Sequence, residues 1–345
     1  MPPDRIKLLI ASPLEEEHVA RIRAFAPDRV EVLFEPALLP TPRYVADHNG
    51  IKPALDAAGL ARWAALRGQA EISFDFDWQD PARLPETAPR LRWVQGTSAG
   101  IGEFLERTGL ARSGIRFTTA AGVHAGPLAE FALLGLLYFV REVPLLRRRQ
   151  AERHWERFTS RSLDGLRVLV VGLGGVGRAV AAALPPFGVE VWGNSRTQPA
   201  APPPGLSRFV PSAALGEALG AVDALVLACP LTKETRGMIG RAELARLRPG
   251  AILVNIARGQ VVDEPALTEA LAAGRLAGAA LDVFATEPLP AESPLWGMEN
   301  VLVAPHSAST VAAENRRITD LFLDNLGRYL AGRELRNPFE PGRGY

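Results

Sequence analysis

Four apolar residues, Val168-Leu-Val-Val171, run directly into Gly172-Leu173-Gly174-Gly175-Val176-Gly177, and a helix-like stretch follows. A buried strand that turns on glycines into a helix leaves few folds open. Gly172 permits the tight turn, Gly174 brings a pyrophosphate close to the backbone, and Gly177 lets helix and strand pack together. Free amide groups at the positive end of the helix then face the phosphates. Taken alone, the glycine pattern is common. Here five more apolar runs follow it: Val189–Trp192, Ala224–Ala228, Ile252–Ile256, Ala279–Phe284 and Val301–Ala304. Most are separated by helical stretches, at Arg178–Leu184, Ala213–Leu219 and Glu264–Ala273. Runs apolar on both faces that alternate with helices specify a parallel sheet covered on both sides. The expectation is an α/β, Rossmann-type doubly wound sheet that binds a dinucleotide.

A chain of 345 residues suits two domains, each large enough to bury a core. Apolar residues make up 47% of it and the formal net charge is +1. That balance excludes general disorder and argues against a dedicated polyanion binder, so no nucleic-acid partner is expected. The lone Cys229 cannot form an internal disulfide, which points to a reducing compartment. The start, Met1-Pro-Pro-Asp-Arg-Ile-Lys, has no signal-peptide pattern, and the longest charge-free apolar run, Phe131–Val140, is about half a bilayer span. A cytoplasmic protein without a membrane partner is expected.

Before the glycine motif, Ile6–Ala11, Val30–Phe34, Glu71–Phe76, Leu91–Gln95 and Ile115–Thr119 read as strands. Leu14–Phe25 and Leu55–Leu66 carry helical spacing between them. Pro36–Pro53, with four prolines, is a loop or excursion to which no chemistry attaches. A helix apolar all round starts near Pro127, reaches Arg141, and is expected to be buried between domains. Pro144–Arg161 is charged and helix-like; Arg147-Arg148-Arg149 is balanced by Glu142, Glu152 and Glu156, which favours a solvated face over a nucleic-acid patch. Val311–Leu330 reads as an amphipathic helix too late for the sheet, returning to the first domain. The tail Asn337–Tyr345 is expected to be an extended cover or loose. The expected domains are therefore 1–123 with 309–345, a smaller flavodoxin-like α/β substrate domain, and 124–308, which binds the dinucleotide.

Which dinucleotide is read after the second strand of the motif domain. An acid there would accept both ribose hydroxyls. Instead Gly193-Asn194 leads into Ser195-Arg196-Thr197, which offers donors and a cation to a 2′-phosphate. Arg196 as an ordinary loop arginine is the alternative. Cys229 follows the third strand; with no histidine near it in sequence, a buried small residue is a better reading than a nucleophile. Arg258, Glu287 and His306 each follow a successive apolar run. All three therefore fall at the carboxyl edge, where doubly wound sheets bind ligands. Singly, they read equally well as a surface ion pair, a turn acid and a loop histidine; together they form a set that can grip a carboxylate and move a proton. Asp282, read as inside the fifth strand, is better placed to meet the nicotinamide end than to act as a base. His18, His48, His124 and His154 are weaker candidates, and no cluster has metal-ligand spacing.

These segments resemble the D-isomer-specific 2-hydroxyacid dehydrogenase family over nearly the whole chain. The likeness rests on the glycine fingerprint, Pro230-Leu231-Thr232-Lys-Glu-Thr235, Asn255-Ile256-Ala257-Arg258-Gly259, Leu281 to Leu289, and Pro305-His306-Ser307-Ala308. The resemblance implies that Arg258 binds the substrate carboxylate and carbonyl, His306 is the acid/base and Glu287 its partner. It also implies that Ser98, Ala99 and Gly100 offer backbone amides to the carboxylate. The serine–arginine pair is similar to that of NADPH-using glyoxylate and hydroxypyruvate reductases, a departure from the more common NAD pattern. The expected cofactor contacts are Gly172, Gly174, Gly175, Val176, Gly177, Ser195, Arg196, Thr197, Cys229, Pro230, Thr235, Ile256, Ala257, Asp282 and His306. The expected activity is reduction of a small 2-keto acid by NADPH, with NADH less favoured, in a homodimer formed through the dinucleotide domain. The rival readings are a non-catalytic, dinucleotide-sensing corepressor-like protein and a formate-type dehydrogenase; the second would carry glutamine where this chain has Glu287.

Overall fold

The computed structural model describes residues 5–340, so the readings at 1–4 and at the end of the tail, 341–345, lie outside the described residues. The chain divides into two compact units, Met1–His124 with Thr310–Tyr345, and Ala125–Ser309.

The first unit begins with β1 (Ile6–Ile10), α1 (Glu16–Phe25), β2 (Val30–Leu33), α2 (Ala57–Gln69) and β3 (Ile72–Phe74). It continues through α3 (Leu84–Thr87), β4 (Trp93–Gln95), α4 (Gly102–Arg107) and β5 (Arg116–Thr118). All strands are parallel, in the order β2-β1-β3-β4-β5, the flavodoxin-like arrangement. The Asp56 carboxylate caps α2 by accepting from the Gly59 amide at 2.8 Å. Leu8, Ile10, Ile72 and Trp93 have no exposed surface and form the sheet's part of the core. Residues 337–339 lie along β5, where Thr118 and Pro338 bridge and the Phe339 amide donates to Phe117 O at 2.8 Å. That part of the tail is a cover.

The second unit opens with α5 (Ala125–Val140) and α6 (Val143–Glu152). Then come β6 (Arg167–Val171), α7 (Gly175–Ala183), β7 (Glu190–Asn194), β8 (Arg208–Val210), α8 (Leu215–Leu219) and β9 (Ala224–Leu227). It closes with α9 (Arg241–Arg246), β10 (Ala251–Asn255), α10 (Glu264–Ala272), β11 (Leu276–Leu281) and β12 (Val301–Val303). The last helix of the chain, α11 (Glu314–Leu330), belongs to the first unit. The seven strands of the second sheet are parallel in the order β12-β11-β10-β9-β6-β7-β8. The chain reverses its direction of travel between β6 and β9, which makes their carboxyl ends the switch point.

Four local expectations change. β8 adds a strand to the six that the apolar runs specify, because three residues in a proline-rich stretch carry too little pattern to read as a strand. β11 ends at Leu281, so Asp282 lies just beyond the strand and not inside it. The charged helix stops at Glu152 where Arg153 takes a left-handed φ of 55°. The apolar helix α5 lays its buried face on β10 and β11 of its own sheet, while Leu134 is 50% exposed. Its seat is made by small residues: a Cβ on Gly135 would stand 2.6 Å from Ala280 Cβ, and one on Gly278 2.3 Å from the Phe139 ring.

Candidate active site

The glycine turn is built as tightly as its sequence demands. Gly172 has φ 99°, and a Cβ there would lie 2.5 Å from the Cys229 amide nitrogen. A Cβ on Gly177 would lie 1.7 Å from Gly172 O, so this glycine is needed by the turn as much as by helix–strand packing. Gly174 differs: a Cβ on it would meet no protein atom within 4 Å. That open position stands at the N-cap of α7, which no side chain caps. An open backbone with uncapped helix amides fits a pyrophosphate. Gly175, Val176 and Gly177 form the first turn of that helix. The backbones of Gly172 and Cys229 abut at the switch point. Cys229 itself is buried, and burial pushes its thiol up to about 11.

At the end of β7 the Ser195 hydroxyl donates to Thr197 O at 2.8 Å. Its proton is spent inside the turn, whereas the sequence pointed to donation toward a phosphate. Arg196 and Thr197 are exposed. An acid does stand near them, from the loop after β9. The Glu234 carboxyl is held below its ordinary value first by a hydrogen bond from Thr232, with Arg196 and Lys233 adding electrostatically. In the same loop Thr235 Oγ1 donates to Pro230 O at 2.7 Å, and the Thr232 amide donates to Thr235 Oγ1 at 2.8 Å. These bonds account for the threonine spacing.

Arg258, Glu287 and His306 follow the ends of three neighbouring strands. After β10, Asn255 brackets the turn, accepting from the Ala257 amide at 3.0 Å and donating to Arg258 O at 3.1 Å. Ile256 and Ala257 are buried there. The half-buried Arg258 donates from Nη1 to Ala257 O at 2.7 Å and has no carboxylate partner among the described residues. Gly259 lets this turn press on the next loop, since a Cβ there would fall 1.8 Å from the Phe284 carbonyl carbon. Past β11, Glu287 accepts from the Phe284 amide at 3.0 Å with one oxygen and meets His306 Nδ1 at 2.7 Å with the other. An ionised carboxylate only accepts, so Nδ1 carries the hydrogen and Nε2 is the ring atom left for other work.

His306 has φ 52°, a left-handed conformation that a side-chain-bearing residue adopts at a cost of about 1–2 kcal/mol. The residue that holds it there is Asp282. One oxygen of this buried carboxylate accepts both following amides, Ser307 at 2.8 Å and Ala308 at 2.9 Å. Burial raises the Asp282 carboxyl above its ordinary value, and these two bonds oppose the shift. The anchoring role was not legible in the sequence, because it depends on where the turn after β12 passes. Among the described residues, no group of three or more His, Cys, Asp or Glu side chains is placed to hold a metal ion.

In the first unit, Ser98 Oγ accepts from the Gly100 amide at 3.3 Å, and the Ala120 amide donates to Ser98 O. Ala99 lies between them with no side-chain hydrogen-bonding group. Beside them Thr97 donates to the buried carboxylate of Asp75, a residue the sequence reading did not single out. The remaining histidines are occupied locally. His124 meets Glu314 at 3.1 Å, His48 meets Ser12 at 3.2 Å and His154 meets Glu156 at 3.2 Å, while His18 is buried on α1.

Residues 133–308 match the family model of the D-isomer specific 2-hydroxyacid dehydrogenase, NAD binding domain. The chain belongs to this dehydrogenase family. A glyoxylate reductase from Thermococcus gammatolerans is 37% identical over 251 residues, covering 70% of this chain and 74% of that one. A hydroxyphenylpyruvate reductase from Plectranthus scutellarioides is 33% identical over 260 residues, covering 74% and 81%. The crystal structure of a D-isomer specific 2-hydroxyacid dehydrogenase from Xanthobacter autotrophicus Py2, in complex with NADPH and MES, matches with a TM-score of 0.78 at 32% identity. That match covers 99% of this chain and 100% of the other. As a member of the family, this dehydrogenase uses a nicotinamide dinucleotide to interconvert 2-keto and 2-hydroxy acids. No described helix is long and apolar enough to cross a membrane.

Proposed function

We propose that this dehydrogenase reduces a small 2-keto acid of the glyoxylate or hydroxypyruvate type to the D-2-hydroxy acid and prefers NADPH to NADH. The observation that carries the reading is the Glu287–His306 hydrogen bond at 2.7 Å, one strand away from an arginine without a carboxylate partner. Arg258 grips the substrate carboxylate and polarises the carbonyl, and Ser98, Ala99 and Gly100 add backbone amides. Gly100 must release its weak bond to Ser98 Oγ to do so. The chemistry a bound nicotinamide would supply is the hydride that the carbonyl carbon accepts. His306 delivers a proton from Nε2 to the carbonyl oxygen, and Glu287 fixes the orientation of the ring through Nδ1. Gly172 to Gly177 hold the pyrophosphate, with Cys229, Pro230, Thr235, Ile256 and Ala257 along the same edge. The free oxygen of Asp282 is the group assigned to the nicotinamide end. The likeness to a glyoxylate reductase and to a dehydrogenase crystallised with NADPH supports both halves of this reading.

For the cofactor, Arg196 and Thr197 are the groups assigned to the 2′-phosphate, with Glu234 a nearby opponent. A charge-assisted contact of this kind corresponds to roughly a ten- to hundred-fold preference for NADPH in efficiency. Initial rates with each cofactor below saturation check it. Arg196→Ala should erode the preference mainly through the NADPH Michaelis constant, and Ser195→Asp should shift it toward NADH. Equal efficiency in the parent protein would mean that Arg196 serves the fold alone. Binding of NADPH without turnover of any 2-keto acid would instead favour the non-catalytic, dinucleotide-sensing reading. A cytoplasmic homodimer is part of the proposal; Leu134, Leu146 and Trp155 in the second unit, at 50%, 45% and 97% exposure, support self-association there.

A further inference from the structure

Arg178 follows the glycine turn as the fourth residue of α7. Side chains on a helix lean toward its N-terminus, and those three apart share a face. The residue three before Arg178 is Gly175, which has no side chain to block that path. The guanidinium accordingly reaches back to the turn itself, where Nε donates to Leu173 O at 2.9 Å. Leu173 stands directly before the exposed Gly174, the position whose Cβ would meet no protein atom within 4 Å.

Such a placement runs against helix stability. The first turn of a helix is its positive end, where a carboxylate stabilises and a cation does not. α7 has no acidic residue in its first turn and no capping side chain. Arg178 adds a full positive charge there, and among the described residues it has no carboxylate partner. Only Nε of its guanidinium is engaged, so the donors on Nη1 and Nη2 are free. An anchored arginine with a free fork, beside uncapped helix amides, is suited to an anion with several oxygens. The paired phosphates of a nicotinamide dinucleotide are such an anion. Their charge would offset both the helix end and the guanidinium.

We infer that Arg178 is a ligand of the cofactor's pyrophosphate, common to NADH and NADPH and separate from the choice between them. The inference rests on the reading that puts the pyrophosphate at the glycine turn. Fluorescence titration of the full chain tests it without turnover. Arg178→Gln should raise the Kd of both cofactors about tenfold or more, the usual loss for a charge-assisted pair, and leave their ratio within about twofold of the parent. Arg178→Lys keeps the charge without the fork and should lose less, about threefold. Cofactor-free Arg178→Gln should melt within about 2 °C of the parent, because removal of a cation from the helix's positive end offsets the lost bond to Leu173 O. Kd values within about twofold of the parent would overturn the assignment. So would a loss confined to NADPH, which would put Arg178 at the 2′-phosphate. A lowered melting temperature with equal losses in the Gln and Lys variants would make the bond to Leu173 O the cause, and would overturn it too. Gly174→Ala tells the two possible failures apart. If that variant binds both cofactors as the parent does, the pyrophosphate lies elsewhere and the turn reading fails. If it binds them weakly while Arg178→Gln does not, only the role of Arg178 falls.

Discussion

Two residues at the second sheet's carboxyl edge illustrate how position decides chemistry. His306 and Glu287 are both partly exposed, yet the 2.7 Å bond between them leaves a single ring nitrogen available. His306→Ala should lower turnover by about 10²–10⁴-fold, the usual contribution of a positioned general acid. Glu287→Gln keeps the shape but holds Nδ1 by a neutral hydrogen bond in place of a charge-assisted one, so turnover should fall about tenfold or more while the NADPH KM stays near that of the parent. Unchanged turnover would remove Glu287 from its proposed role. Cys229 is the opposite case. With its thiol raised to about 11 by burial, the thiolate fraction at pH 8 is on the order of 10⁻³. Native protein should therefore resist iodoacetamide at pH 8 and react readily once unfolded, as mass spectrometry would show. Rapid labelling of the native chain would contradict the buried, structural reading.

At the level of elements, the strand–turn–helix unit from β6 to α7 separates what the fold needs from what the ligand needs. A Cβ on Gly177 collides with Gly172 O, while one on Gly174 meets nothing within 4 Å. Gly177→Ala should thus lower the melting temperature, because the turn must open to admit the methyl group. Gly174→Ala should melt close to the parent yet bind NADPH more weakly, since its methyl group projects into space left for the pyrophosphate. Scanning calorimetry alongside a fluorescence titration distinguishes the two. Similar melting and similar affinity for Gly174→Ala would show that the phosphates lie elsewhere. The loop after β11 is tied in a related way: the Ala285 amide donates to Glu264 at 2.8 Å and Gln260 donates to Ala285 O at 2.9 Å. Helix α10 and the turn after β10 therefore help to set where Glu287 sits.

The whole molecule is unequal in how its two units are assembled. The second is continuous in sequence, and its buried core residues lie between Ala129 and Leu295. The first is completed by α11, whose Phe322 meets Phe74 edge-on at 5.2 Å and stacks on Trp93 at 5.4 Å. Ile318, Phe322 and Leu326 are fully buried, each contributing roughly 1.5–3 kcal/mol. That sum is comparable with the net stability of a domain, about 5–15 kcal/mol. A chain ending at Ser309 should lose the first unit while the second still unfolds cooperatively. Limited proteolysis would then leave a protected fragment within 125–309. Persistent protection of the first unit would mean that α11 is dispensable.

The parallel sheets, the glycine turn and the placement of Arg258, Glu287 and His306 at strand ends were legible in the amino-acid order, because strong apolar runs and special backbone positions leave local signatures. Val168–Val171 announces a buried strand wherever it folds, and Gly172 marks a turn that other residues resist. Side-chain type likewise nominates Arg258, Glu287 and His306. What the order could not show depends on neighbours brought together from distant positions. Asp282 became an anchor only because the turn after β12 passes over it, and the Ser195 proton was taken by a carbonyl two residues away. Glu234 approaches Arg196 from another loop. The excursion at Pro36–Pro53 read as featureless, yet it lines a cavity of about 470 Å³ within the first unit. A cavity is a property of the space between segments and leaves no trace in any one of them. Local propensity and apolar pattern act along the chain; hydrogen-bond choice, strain and enclosed volume are settled by tertiary packing.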